Sequence, residues 1–385
     1  MAFDRGCSIL FYMLIAVLTC WMVYQMEMLP NGRLASGWTC GYRTQAAYKN
    51  RLLMTGIFVI LFGVMALRFD IGNDYRQYTQ TAHEAYVGGY VVTEAGFNIV
   101  VRLVYGLAGW ECYEAVFALF AFFTLWFFLK ALSQQSVCFA QSFFLFMTLG
   151  LYFQTFNTVR YYLALAIALF SIRYVLGKDF IKFVFWIGIA ALFHKSVLLV
   201  IPIYWVAALE WKKWHILVGT LLCVVCFVAK GPLLTLALIL YPSYKNTVYL
   251  EGGWSLTSVV RIAAVLGFYL WFCMYMGKEA RDKSWYRELR LYGQLNLLAL
   301  AASTFFSFLP VVTRIAYYFS VPQLLLIPLI LRNIEDLRVQ KRAQRIVGIL
   351  CIGYFIVFLL QAHRDGIGLL PYRSWLFETN RYQYK

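Results

Sequence analysis

Charge is what this sequence has least of. Only 14% of its 385 residues are Asp, Glu, Lys or Arg, whereas soluble domains carry about 25%. With 62% of the chain hydrophobic, that deficit excludes a soluble core of this size. Acidic residues are scarcest, 18 against 34 basic ones, for a formal net charge of +16. In a soluble chain such an excess points to nucleic acid. Here the basic residues fall in loops that meet anionic lipid headgroups, so membrane lipid is an expected partner and nucleic acid is not. Arginines that bind an anionic substrate are a second source of the excess.

Several motifs are missing too. There is no P-loop, no GxGxxG and no HExxH, so ATP, nicotinamide and zinc are not expected, and neither a cofactor nor a metal is assigned. Of nine cysteines, Cys20, Cys138, Cys223, Cys226, Cys273 and Cys351 lie in apolar runs, where a thiol behaves as a small hydrophobe. Cys223 and Cys226 form a CxxC without a second ligand pair, so packing is their expected role, and no disulfide framework is implied. A cleavable signal peptide is not expected, since the first apolar run starts near Ser8, is long enough to span and lacks a basic lead. With no repeat and no low-complexity linker, residues 1–385 read as one integral membrane domain.

Repeated apolar runs of about 17–25 residues mark membrane-crossing helices. The expected spans are Ser8–Met28, Leu52–Leu67, Cys112–Lys130, Val137–Phe153, Val159–Leu176, Phe180–Phe193, Val197–Leu209, His215–Ala229 (with or without an extension towards Leu240), Ser258–Met276, Leu291–Leu309, Ile315–Leu331 and Ile346–Gln361. The fold class is therefore all-α, a polytopic transmembrane bundle of about twelve spans. The two short segments flanking His194 are either two spans or one bent helix.

Placing the loop with Arg33, Arg43, Lys49 and Arg51 in the cytoplasm puts Lys130, Arg173, Lys178, Lys182, Lys212, Lys213, the loop "GKEARDKSWYRELR" and the loop "RNIEDLRVQKRAQR" on the same side. Those loops hold about 20 of the 34 basic residues. Both termini then face outward. So do Asp70, Asp74, Glu94, Arg160, His194 and Arg314, all at or near helix ends. Ionisable groups converging on one membrane face mark a functional site. Within the outer segment, "GFNIVVRLVYGLAGW" spaces Phe97, Val100, Val101, Val104, Leu107 and Ala108 along one face. That predicts a short amphipathic helix, lying in the interface or packed on the bundle.

Each charged group has a chemical and a plain reading. "DIGND" sets Asp70 and Asp74 four apart, on one face if the segment is helical. They could act as general base and orienting group, or hold a divalent ion; a solvated loop paired to Arg68 and Arg76 explains them equally. Glu94 precedes a helix start, where the dipole alone favours it. Arg160 stands in the first turn of a long apolar helix, after Asn157 and Thr158, either of which can cap it. A cation is misplaced there unless it shares an anion with the helix amides or snorkels. His194 in "ALFHKSVLL" suits a proton carrier or a phosphate donor, or simply breaks two spans. Ser196 is adjacent in sequence and no local carboxylate orients the histidine, so a serine nucleophile is not expected. Arg314 begins another helix after Pro310, with Tyr317 and Tyr318 a turn later. These tyrosines are belt residues or stacking platforms.

The ordered set "RFDIGNDYRQY" (Arg68–Tyr78), "EAGF" (Glu94–Phe97), "NTVRYYLA" (Asn157–Ala164), "FHKS" (Phe193–Ser196), "RIAYYF" (Arg314–Phe319) and Pro371–Tyr372 resembles the EpsG family, which belongs with the Wzy-type bacterial polysaccharide polymerases. Each motif is short; their order and spacing, from about Leu52 to Tyr372, are specific together. Ala95 departs from the pattern, where proline is commoner.

The resemblance implies a GT-C-like membrane glycosyltransferase of the bacterial inner membrane, its active site facing the periplasm or exterior. It would join oligosaccharide repeat units carried on undecaprenyl pyrophosphate, for O-antigen, capsule or exopolysaccharide, alongside a chain-length regulator. On that reading Arg160 and Arg314, with Arg68, hold the pyrophosphate. Asp74 or Asp70 is the base, Glu94 orients the sugar, and His194 binds or protonates phosphate. Tyr75, Tyr78, Asn157, Tyr161, Tyr317, Tyr318 and Tyr372 meet the sugars. A GT-C transferase using a polyprenyl-phosphate sugar stays open as the alternative. A flippase fits less well, because ionisable residues are rare in the middles of the spans; a non-catalytic scaffold would make the outward convergence a coincidence.

Overall fold

The computed structural model of the chain describes residues 4–28, 34, 45–91, 93–240, 256–309, 312–363 and 368–377. Arg33 and Arg43 of the first basic loop, and Pro310, lie outside them. In chain order the helices are α1 (Arg5–Tyr24), α2 (Gln45–Ala66), α3 (Tyr75–Val87), α4 (Ala95–Ala108), α5 (Tyr113–Gln135), α6 (Phe139–Thr148), α7 (Leu151–Gln154), α8 (Val159–Leu176), α9 (Phe180–Ala191), α10 (Val200–Ala208), α11 (Lys213–Val228), α12 (Lys230–Leu240), α13 (Leu256–Met276), α14 (Tyr286–Phe305), α15 (Val312–Ser320), α16 (Gln323–Arg332) and α17 (Leu337–Gln361). Among the described residues there is no β-strand, only two isolated bridges. The fold is all-α and polytopic, as lipid demands of a chain that must satisfy its own backbone.

A helix accounts for each expected span, but not always one long enough to cross. Among the described residues seven stretches are: α1, α2, α5, α8, α13 with its 3-10 extension to Asp282, α15 with α16, and α17. An eighth forms if α11 and α12, bent by 79°, count as one. The remaining apolar segments fall short. The 12 residues of α9 rise only about 18 Å, against a hydrocarbon core of about 30 Å. The segment expected over Val137–Phe153 is split into α6 and α7. α14 has 20 residues but opens with Arg287, Glu288 and Arg290.

The helices cluster in two compact units. One comprises residues 1–170, 189–195 and 331–385. In it α1 packs on α2 and α6, α2 on α5, α4 on α3 and α5, and α17 on α6. The segment 368–377 closes one end. Its Tyr372 hydroxyl donates to the Val64 carbonyl at 3.1 Å and its amide to Ser8 Oγ at 2.9 Å, while Phe69 N–H donates to the Arg373 carbonyl at 2.9 Å. Tyr12 of α1 donates to the Leu369 carbonyl at 2.9 Å, and Leu369 N–H donates to the Ala362 carbonyl at 2.9 Å. The start of α1 and the ends of α2 and α17 therefore meet there. The opposite end of this unit carries Lys49 and Arg51 of α2, Lys130 of α5, and Arg338, Lys341, Arg342 and Arg345 of α17.

The expected apolar face on Phe97–Ala108 divides. In α4, Phe97, Val101 and Tyr105 are buried, and α4 packs on α3 and α5, while Leu107 is 89% exposed, with Ile99 and Leu103 exposed beside it. The helix is thus apolar on both sides. In the second unit, residues 171–188 and 196–330, α14 is the hub, packed on α10, α11, α13 and α15.

Candidate active site

"RFDIGNDYRQY" is not a helix with two carboxylates on one face. It leaves α2, turns, and enters α3 at Tyr75. Asp70 has φ +49° and Gly72 has φ +97°, left-handed conformations that break a helix. A Cβ on Gly72 would stand 2.6 Å from the Phe156 carbonyl oxygen. Only glycine lets the turn lie this close to the chain entering α8. Asn73 N–H then donates to Asn157 Oδ1 at 3.1 Å.

The turn gives the aspartates different tasks. Asp70 accepts from Arg76 at both oxygens, Nε at 2.9 Å and Nη2 at 2.7 Å, with Arg373 at 4.0 Å. Its lone pairs are committed to a bidentate clamp. Asp74 occupies the cap position of α3 but makes no side-chain cap. Asp74 is half-buried; its Oδ2 accepts from the Thr158 hydroxyl at 2.7 Å, and no hydrogen bond to its Oδ1 is made among the described residues.

Four residues along α3, Tyr78 meets Arg160 of α8. Arg160 Nε donates to the Tyr78 hydroxyl at 3.4 Å, and the guanidinium lies 5.2 Å from the Tyr78 ring and 5.5 Å from the Phe97 ring. Its Nη1 donates to Glu94 Oε2 in an ion pair whose side chains are 18% and 14% exposed. Glu94 Oε1 accepts from the Lys195 amide at 3.2 Å and lies 3.7 Å from His194 Nδ1. His194 sits in the break after α9, not on a helix, and packs edge-on to Tyr161 at 5.3 Å. One close approach holds this corner together: Gly96 N–H donates to the Leu192 carbonyl at 2.8 Å, and a Cβ there would lie 2.7 Å from that oxygen.

Asp74, Tyr78, Glu94, Asn157, Arg160, Tyr161 and His194 are thus brought together in the first unit. Arg68 is close in sequence but differently placed. It is 2% exposed, its guanidinium 5.2 Å from the Phe117 ring and 5.6 Å from the Phe156 ring, and it donates to the Met65 carbonyl. Its Nε and Nη2 have no hydrogen-bond partner among the described residues. Burial lowers its pKa to about 10, opposed by nearby tyrosines, so it remains a cation at neutral pH. A group so enclosed is placed to brace the turn. Tyr75 and Tyr372 are buried near it. Burial, the larger effect, pushes both phenols upward, Tyr372 to about 12, and the Arg68 cation lowers them.

Arg314, Tyr317 and Tyr318 belong to the second unit, on α15. Arg314 and Tyr317 are half-buried. Tyr318 is buried, and its carbonyl accepts from Tyr204 at 2.9 Å. Sequence reading passed over another cation there, Arg261 of α13, which is buried with its guanidinium 5.6 Å from the Tyr317 ring. The signal was present: like Arg160 and Arg314, Arg261 stands near the start of an apolar helix. It also passed over Phe97 as a floor for Arg160 and the Lys195 amide as a donor to Glu94.

Among families of known proteins, the EpsG family model matches this chain over residues 51–374. No curated protein and no solved structure matches it.

Proposed function

The chain belongs to the EpsG family, membrane proteins associated with polysaccharide polymerisation, and from that premise we propose that it joins oligosaccharide repeat units carried on undecaprenyl pyrophosphate. A hydroxyl of the incoming lipid-linked repeat attacks the anomeric carbon of the growing chain. The bond from that carbon to the pyrophosphate oxygen breaks, a glycosidic bond forms, and undecaprenyl pyrophosphate leaves. The hydroxyl proton needs a base, and the departing pyrophosphate needs a cation.

The observation that carries this reading is the pairing of α3 with the start of α8. Asp74 accepts from Thr158 and, one turn on, Tyr78 accepts from Arg160, so a carboxylate with an oxygen to spare and a guanidinium both meet the start of α8. Asp74 takes the proton; Asp70, clamped by Arg76, is poorly placed to do so. Arg160 and the first amides of α8 meet the phosphate oxygens. Glu94 acts through Arg160, setting its position, and His194 lies where it can donate to phosphate once protonated. Tyr78 and Tyr161 close the floor. The site faces the periplasm or exterior of the bacterial inner membrane, because the opposite end of the same unit carries the basic clusters of α2, α5 and α17.

Incubating the purified protein with one defined undecaprenyl-pyrophosphate repeat, without nucleotide sugar, tests this. The wild type should give a ladder of products, and Arg160→Ala and Asp74→Asn should each lower the rate by at least about 100-fold, the usual scale for losing a general base. No ladder from the wild type, but one sugar added from a polyprenyl monophosphate donor, would replace polymerisation with single-sugar transfer. A ladder abolished by EDTA would make the aspartates metal ligands.

A further inference from the structure

Arg261 lies buried in the sixth position of α13, a span that is otherwise apolar. A guanidinium taken out of water within a membrane span is costly and marks a functional position. It lines a cavity of about 40 Å³ together with Ser258, Ser303, Thr313, Tyr317 and Ser320. A water needs about 10–15 Å³ of such space, so the cavity has room for roughly three. The lining sets a cation, four aliphatic hydroxyls and a phenol among the apolar side chains of Val259, Ile262, Val312 and Ala316, with no lining carboxylate among the described residues. Thr313 and its neighbour Val312, also in the lining, open α15, and the start of a helix favours an anion.

We propose that this cavity is a phosphate-binding site of the second unit, which holds the phosphoryl group of a polyprenyl-linked substrate. Arg261 supplies the charge, and Ser258, Ser303 and Thr313 supply hydroxyl donors. The assignment of the lipid rests on the polymerase reading. That reaction uses two lipid pyrophosphates, one that leaves and one that stays on the acceptor. The Arg261 cavity holds one such group within the second unit. The phosphate-binding site itself stands on the cavity alone.

The test is equilibrium binding of radiolabelled farnesyl pyrophosphate to the full-length protein in nanodiscs, with inorganic phosphate as competitor. The wild type should bind two equivalents. Arg261→Gln should lose one, with at least tenfold weaker binding there, and Arg160→Gln should lose the other. Ser303→Leu keeps the arginine and fills the cavity, so it should also lose one equivalent if Arg261→Gln does not fold. Two-site binding retained in both Arg261→Gln and Ser303→Leu would overturn the proposal. Inorganic phosphate that displaces the ligand from the Arg261 site as effectively as farnesyl pyrophosphate itself would overturn the lipid assignment. Loss of one equivalent in a protein that makes no polymer would leave the phosphate site standing while the polymerase reading fails.

Discussion

Glu94 has more neighbours than a helix-starting acid requires. Arg160, the Lys195 amide and His194 all converge on its two oxygens, although the helix dipole alone would have explained an acid before α4. Removing its charge leaves Arg160 without its counterion. Glu94→Gln should cost about 1.5–3 kcal/mol of stability, the scale of a hydrogen bond to a charged group, read as a lower melting temperature in detergent. It should also raise KM for the lipid-linked repeat more than it lowers kcat, because Arg160 would no longer be held towards the phosphate. A purely structural role would lower the amount of active enzyme and leave KM unchanged. At this scale the sequence was partly legible. A cation in the first turn of an apolar helix singles out Arg160 as a candidate without a structure. Burial does not show in a local motif: Tyr75, Tyr78, Tyr161 and Tyr372 read as sugar platforms but are enclosed in the first unit. Arg68, read as an anion ligand, is enclosed with them, because the segment that covers it comes from 368–377, some three hundred residues away.

The turn between α2 and α3 shows what periodicity leaves out. Spacing put Asp70 and Asp74 on one helical face; two left-handed residues between α2 and α3 send them apart. Gly72→Ala should cost about 1–3 kcal/mol, the usual scale of backbone strain, since its φ is +97° and the new Cβ would meet the Phe156 carbonyl at 2.6 Å. It should also lower activity by loosening the contact of Asp74 with Thr158. Gly63→Ala, in the last turn of α2 with nothing within 4 Å of its Cβ, should be neutral or slightly stabilising. Melting curves of the two variants separate strain from a general intolerance of alanine. Long helices were the legible elements. α8 runs over Val159–Leu176 as hydropathy places it, and α13 and α17 cover the expected spans. The short ones were less so: the break at His194 between α9 and α10 was legible, but an apolar run does not show whether a turn interrupts it, as it does between α6 and α7.

For the whole molecule, the proposed orientation rests on charge. The end of the first unit that holds Asp74 and Arg160 lies opposite Lys49, Arg51, Lys130, Arg338, Lys341, Arg342 and Arg345, and basic clusters stay in the cytoplasm. In a cysteine-free background, Asn73→Cys should react with an impermeant maleimide in intact spheroplasts, and Lys341→Cys only after permeabilisation. The reverse pattern would put the site in the cytoplasm. The coarse architecture, an all-α polytopic membrane protein of the EpsG family, was readable from composition and motif order. The division into two units was not, because no linker or change in composition marks it.

The most direct measurement is of the lipid left behind. During a single round of coupling, mass spectrometry of the released polyprenol should find undecaprenyl pyrophosphate in one-to-one ratio with new glycosidic bonds, and none from Arg160→Ala. Release of undecaprenyl monophosphate instead would mean a monophosphate-linked donor, and would contradict transfer of a growing chain from pyrophosphate.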